Sequence, residues 1–207
     1  MKLFRRLSGR EGSFMTELVI AMFLVAGMLV VIWTQYGRVK ENSAISSTKE
    51  YLTTAVGQIQ ALYNNTAGGD AGKYTGVETV MGEGETLGKR AVDLGIFPRE
   101  FLQGTSLKNP WNGAVDIANG NEVYNDTFAI TFADVSQKGC IELVTLGSDW
   151  AAVSVTSSDT AVGSAVMSGT AGKIGENGNA TKPIPVDASN ALAGCSKKYN
   201  TITWYGY

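Results

Sequence analysis

The stretch GSFMTELVIAMFLVAGMLVVIW, Gly12 to Trp33, governs how the rest of the chain is read. No charged residue occurs from Leu18 to Gly37, and Leu18 to Trp33 is apolar apart from Gly27. At about 1.5 Å per residue, twenty helical residues cover roughly 30 Å, the thickness of a bilayer's hydrocarbon core. The run is long enough to span a membrane. One carboxylate, Glu17, stands at its head. Placing a charge deep in a bilayer costs on the order of 2.5–3.5 kcal/mol even on the lenient insertion scale. Glu17 must therefore snorkel, be hidden or be paired, which makes it a candidate for function.

The first twelve residues hold Lys2, Arg5, Arg6 and Arg10 against Glu11 alone. Basic residues ahead of an apolar run place the N-terminus in the cytoplasm and everything beyond Trp33 across the membrane. The segment is not an ordinary secretory signal, because no small-residue cleavage site follows the run, where the chain continues TQYGRVKENS. The small residue stands on the cytoplasmic side instead, at Gly12. With 207 residues, the chain can hold one membrane helix and one soluble domain of ordinary size.

Without the first twelve residues the chain carries 13 basic and 18 acidic side chains. This balance argues against nucleic acid as the partner of the exported domain, since counterion release needs clustered Lys and Arg. Histidine is absent, which removes His-based triads and the usual zinc sites. The two cysteines, Cys140 and Cys195, fit one disulfide in an oxidising compartment, with two buried thiols as the alternative.

Past Gly37 the helical pattern continues and turns amphipathic. Ile45, Leu52, Val56, Ile59 and Tyr63 recur at helical spacing, while Lys40, Glu41, Lys49 and Glu50 take other positions. One helix from about Phe14 to Tyr63 is expected, stopped by Asn64, Asn65, Gly68 and Gly69. Residues 67–85 read as a loop with a short turn near Val77 to Met81. A second helical segment covers Leu87 to Leu94, Pro98 breaks or starts an element, and KNPWNG, Lys108 to Gly113, is turn chemistry.

Phe128, Ile130 and Phe132 alternate with Thr127, Ala129 and Thr131, and Ile141, Leu143 and Thr145 with Glu142, Val144 and Leu146, which suggests a hairpin through Ser136 to Gly139. Ile202 and Trp204 alternate with threonines and Tyr205 in a last strand. Gly147 to Gly194 is poor in charge and reads as irregular structure with short strands around Ala151 to Val155 and Ala161 to Met167.

Other motifs carry no chemistry. GEGETLGKR, residues 82–90, misses the Walker spacing and has Arg90 where a hydroxyl is needed. Three Asn-x-Thr matches, at Asn64, Asn125 and Asn179, are expected by chance in a polar chain of this length. Asp134, Asp149, Asp159 and Asp187 are too scattered for a calcium loop, so neither metal nor cofactor is expected.

A basic leader ending in Gly12, Ser13 as the first residue of a trimmed chain, Glu17 as its fifth, and an apolar helix of about twenty residues together resemble the type IV pilin family. A first residue other than Phe, a longer leader and no mid-helix proline resemble its type IVb branch. The Asn-Pro-Trp turn is a second, weaker point of likeness.

The resemblance implies an α+β fold: a ladle-shaped subunit whose long N-terminal helix packs on an antiparallel sheet, with a C-terminal region bounded by a Cys140–Cys195 disulfide. It divides the chain into a leader (1–12), a membrane and polymerisation helix (13–37), its amphipathic continuation (38–65) and a globular head (66–207). It further implies cleavage between Gly12 and Ser13 by a prepilin peptidase, modification of the Ser13 amino group, and an assembly role for Glu17. The partners it implies are other copies of the chain in a helical filament, the assembly machinery, and the inner membrane before assembly. The protein would then be a structural subunit of an extracellular pilus and no enzyme. A type II secretion pseudopilin or minor pilin is the near alternative, and a signal-anchored periplasmic binding module or enzyme the distant one.

Overall fold

The computed structural model describes residues 11–64, 74, 77, 85–120, 127–146, 150–157, 165–169 and 186–206. Helix α1 runs unbroken over Glu11–Asn64, close to the expected limits. The chain divides into two compact units, Met1–Ser43 and Ala44–Tyr207.

In the second unit, α1 buries Ala44, Ile45, Thr48, Leu52, Ala55 and Ile59, a stripe at steps of three and four, while Val56 and Tyr63 pack partly buried at its margin. This is the amphipathic face read from the sequence, sharpened by the small Ala55, which lets the helix approach its neighbours closely. Helix α2 (Glu85–Asp93) follows and turns at Gly95, whose φ of 71° suits glycine. A single turn of 3-10 helix, Arg99–Phe101, starts directly after Pro98, which supplies its extended cap. The short strands β1 (Leu102–Gln103) and β2 (Ser106–Leu107) pair antiparallel around Gly104.

The main sheet has five strands: β3 (Val115–Asn119), β4 (Phe128–Ser136), β5 (Trp150–Ser157), β6 (Ala165–Gly169) and β7 (Tyr199–Gly206), ordered β3-β4-β7-β5-β6. The pairings are antiparallel throughout. The C-terminal strand β7 is therefore central. It pairs with β4 from Phe128↔Gly206 to Ser136↔Tyr199 and with β5 from Trp150↔Gly206 to Ser157↔Asn200. Alternation along β7 buries Asn200, Ile202 and Trp204, as expected for a sheet with one face on the core. Ile202 and Trp204 join Phe128, Ile130 and Phe132 of β4 and Ile45, Leu52, Ala55 and Ile59 of α1 in one apolar cluster. The result is an α+β fold of one long N-terminal helix and an antiparallel sheet.

One expectation fails. The segment read as the second strand of a hairpin is helix α3, Gln137–Val144. Gly139, Cys140, Leu143 and Val144 are its buried residues, a one-sided helical set, and the Ser136 hydroxyl caps the helix by accepting from the Gly139 N–H. An alternation of Ile141, Leu143 and Thr145 is equally a stretch of helix when a capping serine precedes it. The irregular region expected over Gly147 to Gly194 contains β5 and β6, and ends in α4 (Ala188–Gly194). The expected turn near Val77 to Met81 lies largely outside the described residues.

Candidate functional site

In the first unit, Gly12 and Ser13 both lie within α1. Glu17 is exposed on the same helix. Every large apolar side chain from Met15 to Trp33 is between 46% and 80% exposed among the described residues, a long apolar surface. α1 is the one helix among the described residues long and apolar enough to cross a membrane.

In the second unit, Cys140 of α3 and Cys195 at the end of α4 form a disulfide with their Cα atoms 5.8 Å apart. Both are fully buried. The two bridged helices are capped alike, α3 by Ser136 and α4 by Asp187. The Asp187 carboxylate accepts from the Asn190 N–H at 2.8 Å and from the Ser189 hydroxyl at 2.7 Å. The bond from Asn190, then that from Ser189, holds its pKa below the usual carboxylate range. The bridge encloses β5 and β6, so the region it bounds includes two strands of the sheet.

The KNPWNG turn is built around Asn109, which is 3% exposed. Its side-chain oxygen accepts from the N–H groups of Trp111 and Gly113, both at 2.9 Å, and its amide donates to the Ala133 carbonyl at 2.6 Å. Asn112 takes a φ of 69°, and a Cβ on Gly113 would lie only 1.8 Å from the Ala133 oxygen. The sequence marked a turn here without showing that Asn109 fastens it to β4. Trp111 lies against Gly139, where an added Cβ would meet its ring at 2.7 Å, so the same turn also closes onto α3.

On the other flank of α1, the Tyr51 hydroxyl bonds to the Glu100 carboxylate, and that bond above all raises the pKa of Tyr51. Tyr51 meets the edge of Phe101, which stacks on Phe97. An open, mainly apolar groove lined by Tyr51, Val92, Ile96 and Phe97, with Glu50 and Arg99 at its margin, lies beside this contact. It brings together no nucleophile and base. Among the described residues, no group of three or more acidic or cysteine side chains is placed to hold a metal ion.

The described residues form an exposed apolar helix and a disulfide-stapled α+β head. The family described as "PilS N terminal" matches residues 42–206, and the chain belongs to it, a family of type IV pilins, which are structural subunits and not enzymes. Among solved structures, the chain is similar to the crystal structure of TcpA, a type IV pilin from Vibrio cholerae El Tor biotype. The two are 18% identical with a TM-score of 0.46, over 82% of this chain and 98% of that one. No curated protein matches the chain.

Proposed function

We propose that the protein is the subunit of a type IVb pilus, made as an inner-membrane precursor with its head in the periplasm and then polymerised into an extracellular filament. The observation that carries this reading is the unbroken apolar surface from Met15 to Trp33 on a chain of the pilin family. Left in water, that surface has no cover; a bilayer and a bundle of like helices are the two environments that supply one. A prepilin peptidase trims residues 1–12 after Gly12, and Ser13 becomes the first residue, with its amino group open to the modification usual in the family. Residues 13–37 serve as the membrane and polymerisation helix, residues 38–65 as its amphipathic continuation, and residues 66–207 as the head. The assembly machinery lifts subunits from the membrane into the filament, which serves adhesion, aggregation or conjugative contact.

Within the filament, Glu17 pairs with the Ser13 ammonium of a neighbouring copy. An unpaired charge among apolar helices is strongly disfavoured, so a subunit out of step leaves two charges uncompensated. The pair thereby sets axial register. N-terminal sequencing of the exported protein tests the processing: Ser13 as first residue supports the proposal, and Met1 refutes it. Glu17→Ala tests assembly, with the expectation of normal trimming and loss of filaments in negative-stain micrographs. Normal filaments from that variant would remove Glu17 from the register role.

A further inference from the structure

The second unit carries a lysine cluster out of keeping with its overall charge. Lys197 and Lys198 are exposed in the tight link between α4 and β7, and Lys138 stands in the first turn of α3. The Gln137 N–H donates to the Lys198 carbonyl at 3.2 Å, which brings the start of α3 against that link. Buried Asn200 holds the link from below by donating to the Lys197 carbonyl at 2.8 Å. Lys49 of α1 adjoins the group, since Lys49 and Lys138 share the Glu142 carboxylate at 3.7 and 3.8 Å. Two lysines thus share one carboxylate and two more stand in the adjoining link, on a chain whose residues beyond the twelfth are net acidic. Tyr199, 46% exposed, adds an amphipathic ring with the Lys198 ammonium 5.0 Å above it.

The cluster lies at one end of the head. Lys49 is five residues past Ala44, where α1 begins its buried stripe, whereas the other end of α1 packs through Tyr63 onto Tyr74 and from there onto Phe128. In the sequence, Ala44 is eleven residues past Trp33, the end of the apolar run, or about 16 Å of helix. A bilayer holding that run therefore keeps the head tethered close to its headgroups.

We infer that the surface formed by Lys138, Lys197, Lys198 and Tyr199 docks the head of the unassembled subunit on anionic phospholipid headgroups. The inference rests on the membrane-inserted precursor proposed above. Lysine ammoniums near an anionic surface each contribute a modest, additive attraction, and a tyrosine ring suits the headgroup depth. The net acidity of the remaining surface turns the other faces of the head away from the lipid. Such contacts are screened within a Debye length, so docking is weak, reversible and compatible with later extraction. Duplex nucleic acid would find the same lysines, but the acidity of the rest of the chain disfavours it.

The test uses the full chain in phosphatidylcholine vesicles with and without phosphatidylglycerol. Flotation of the vesicles first establishes insertion, so a failure of the membrane reading is distinguished from a failure of docking. Amine acylation followed by peptide mass spectrometry then reads each lysine. Phosphatidylglycerol should slow the labelling of Lys138, Lys197 and Lys198 and leave that of exposed Lys89 unchanged, with the protection lost at about 1 M salt. Lys197→Ala together with Lys198→Ala should lower the docked-to-free ratio about 25-fold, roughly fivefold per lysine, returning Lys138 to its rate in neutral vesicles. An unaltered far-ultraviolet spectrum and retention of the disulfide would establish that this variant folds. Inserted chain with equal labelling in the two lipids overturns the inference. So does equal protection of the three lysines by short duplex DNA over neutral vesicles, which would assign the surface to nucleic acid.

Discussion

Replacing Asn109 with alanine tests how the turn before the sheet is held. Three hydrogen bonds vanish together, to the N–H groups of Trp111 and Gly113 and to the Ala133 carbonyl. The bond to Gly113 is fully buried, so its N–H cannot turn to water, whereas that of Trp111 is only part-buried. Leaving a buried polar group without a partner costs about 1–3 kcal/mol, and a typical intact bond is worth about 1 kcal/mol. One stranded group at about 2 kcal/mol and two part-buried bonds at about 1 kcal/mol each give a loss of about 4 kcal/mol. For a head of this size each kcal/mol moves the melting temperature by roughly 2–4 °C, so a fall of about 12 °C is expected.

The assay is a thermal melt of the full chain in detergent, followed by tryptophan fluorescence. Asn109→Asp retains an acceptor for the two N–H groups and loses only the donor to Ala133, so its loss should be about half as large. A melting temperature for Asn109→Ala within about 2 °C of the parent would refute the assignment of Asn109 as the fastening of this turn. The same result would follow if water took over all three bonds, and the reasoning would then be wrong about burial.

Cys140→Ser with Cys195→Ser opens a loop of 55 residues, and loop-closure entropy sets the loss at about 4 kcal/mol, a large part of a domain's net stability. A denaturant titration of the double variant against the oxidised parent checks it. The parent measured after reduction should coincide with the variant. Acidification should destabilise the head through Asp187, whose folded pKa lies below its ordinary value of 3.8. Its contribution is complete above that value and is lost as pH falls through the lower folded one, so Asp187→Asn should flatten the acid limb of the melting profile. At the alkaline end, burial raises Tyr74 above its ordinary value of 10.0. Stability is held below that pH and lost as pH rises through the folded value, and Tyr74→Phe should remove that part of the decline.

The sequence by itself determined the long helix, its two characters and the outer limits of the chemistry. Leu18 to Trp33 declares an apolar helix through length and lack of charge, and Ile45, Leu52 and Ile59 declare a buried face through spacing, because both signals are local to the chain. The strands around Phe128 and Ile202 were legible for the same reason. Gly12, Ser13 and Glu17 owe their candidacy to spacing along the chain, and their roles rest on family membership together with the tests above. Tertiary structure decided what depends on distant partners. Ile141, Leu143 and Thr145 fit either a strand or a helix, and helix α3 prevails because Cys140, Leu143 and Val144 then face the core together while Ser136 caps the first turn. Asn109 became an anchor only when Ala133, twenty-four residues away, came within reach of its amide. The last strand lies at the centre of the sheet because β4 and β5 each offer it a complementary edge and its buried face carries Ile202 and Trp204. Pairing of that kind follows from which edges meet in space, and alternation within a single strand holds no record of its neighbours.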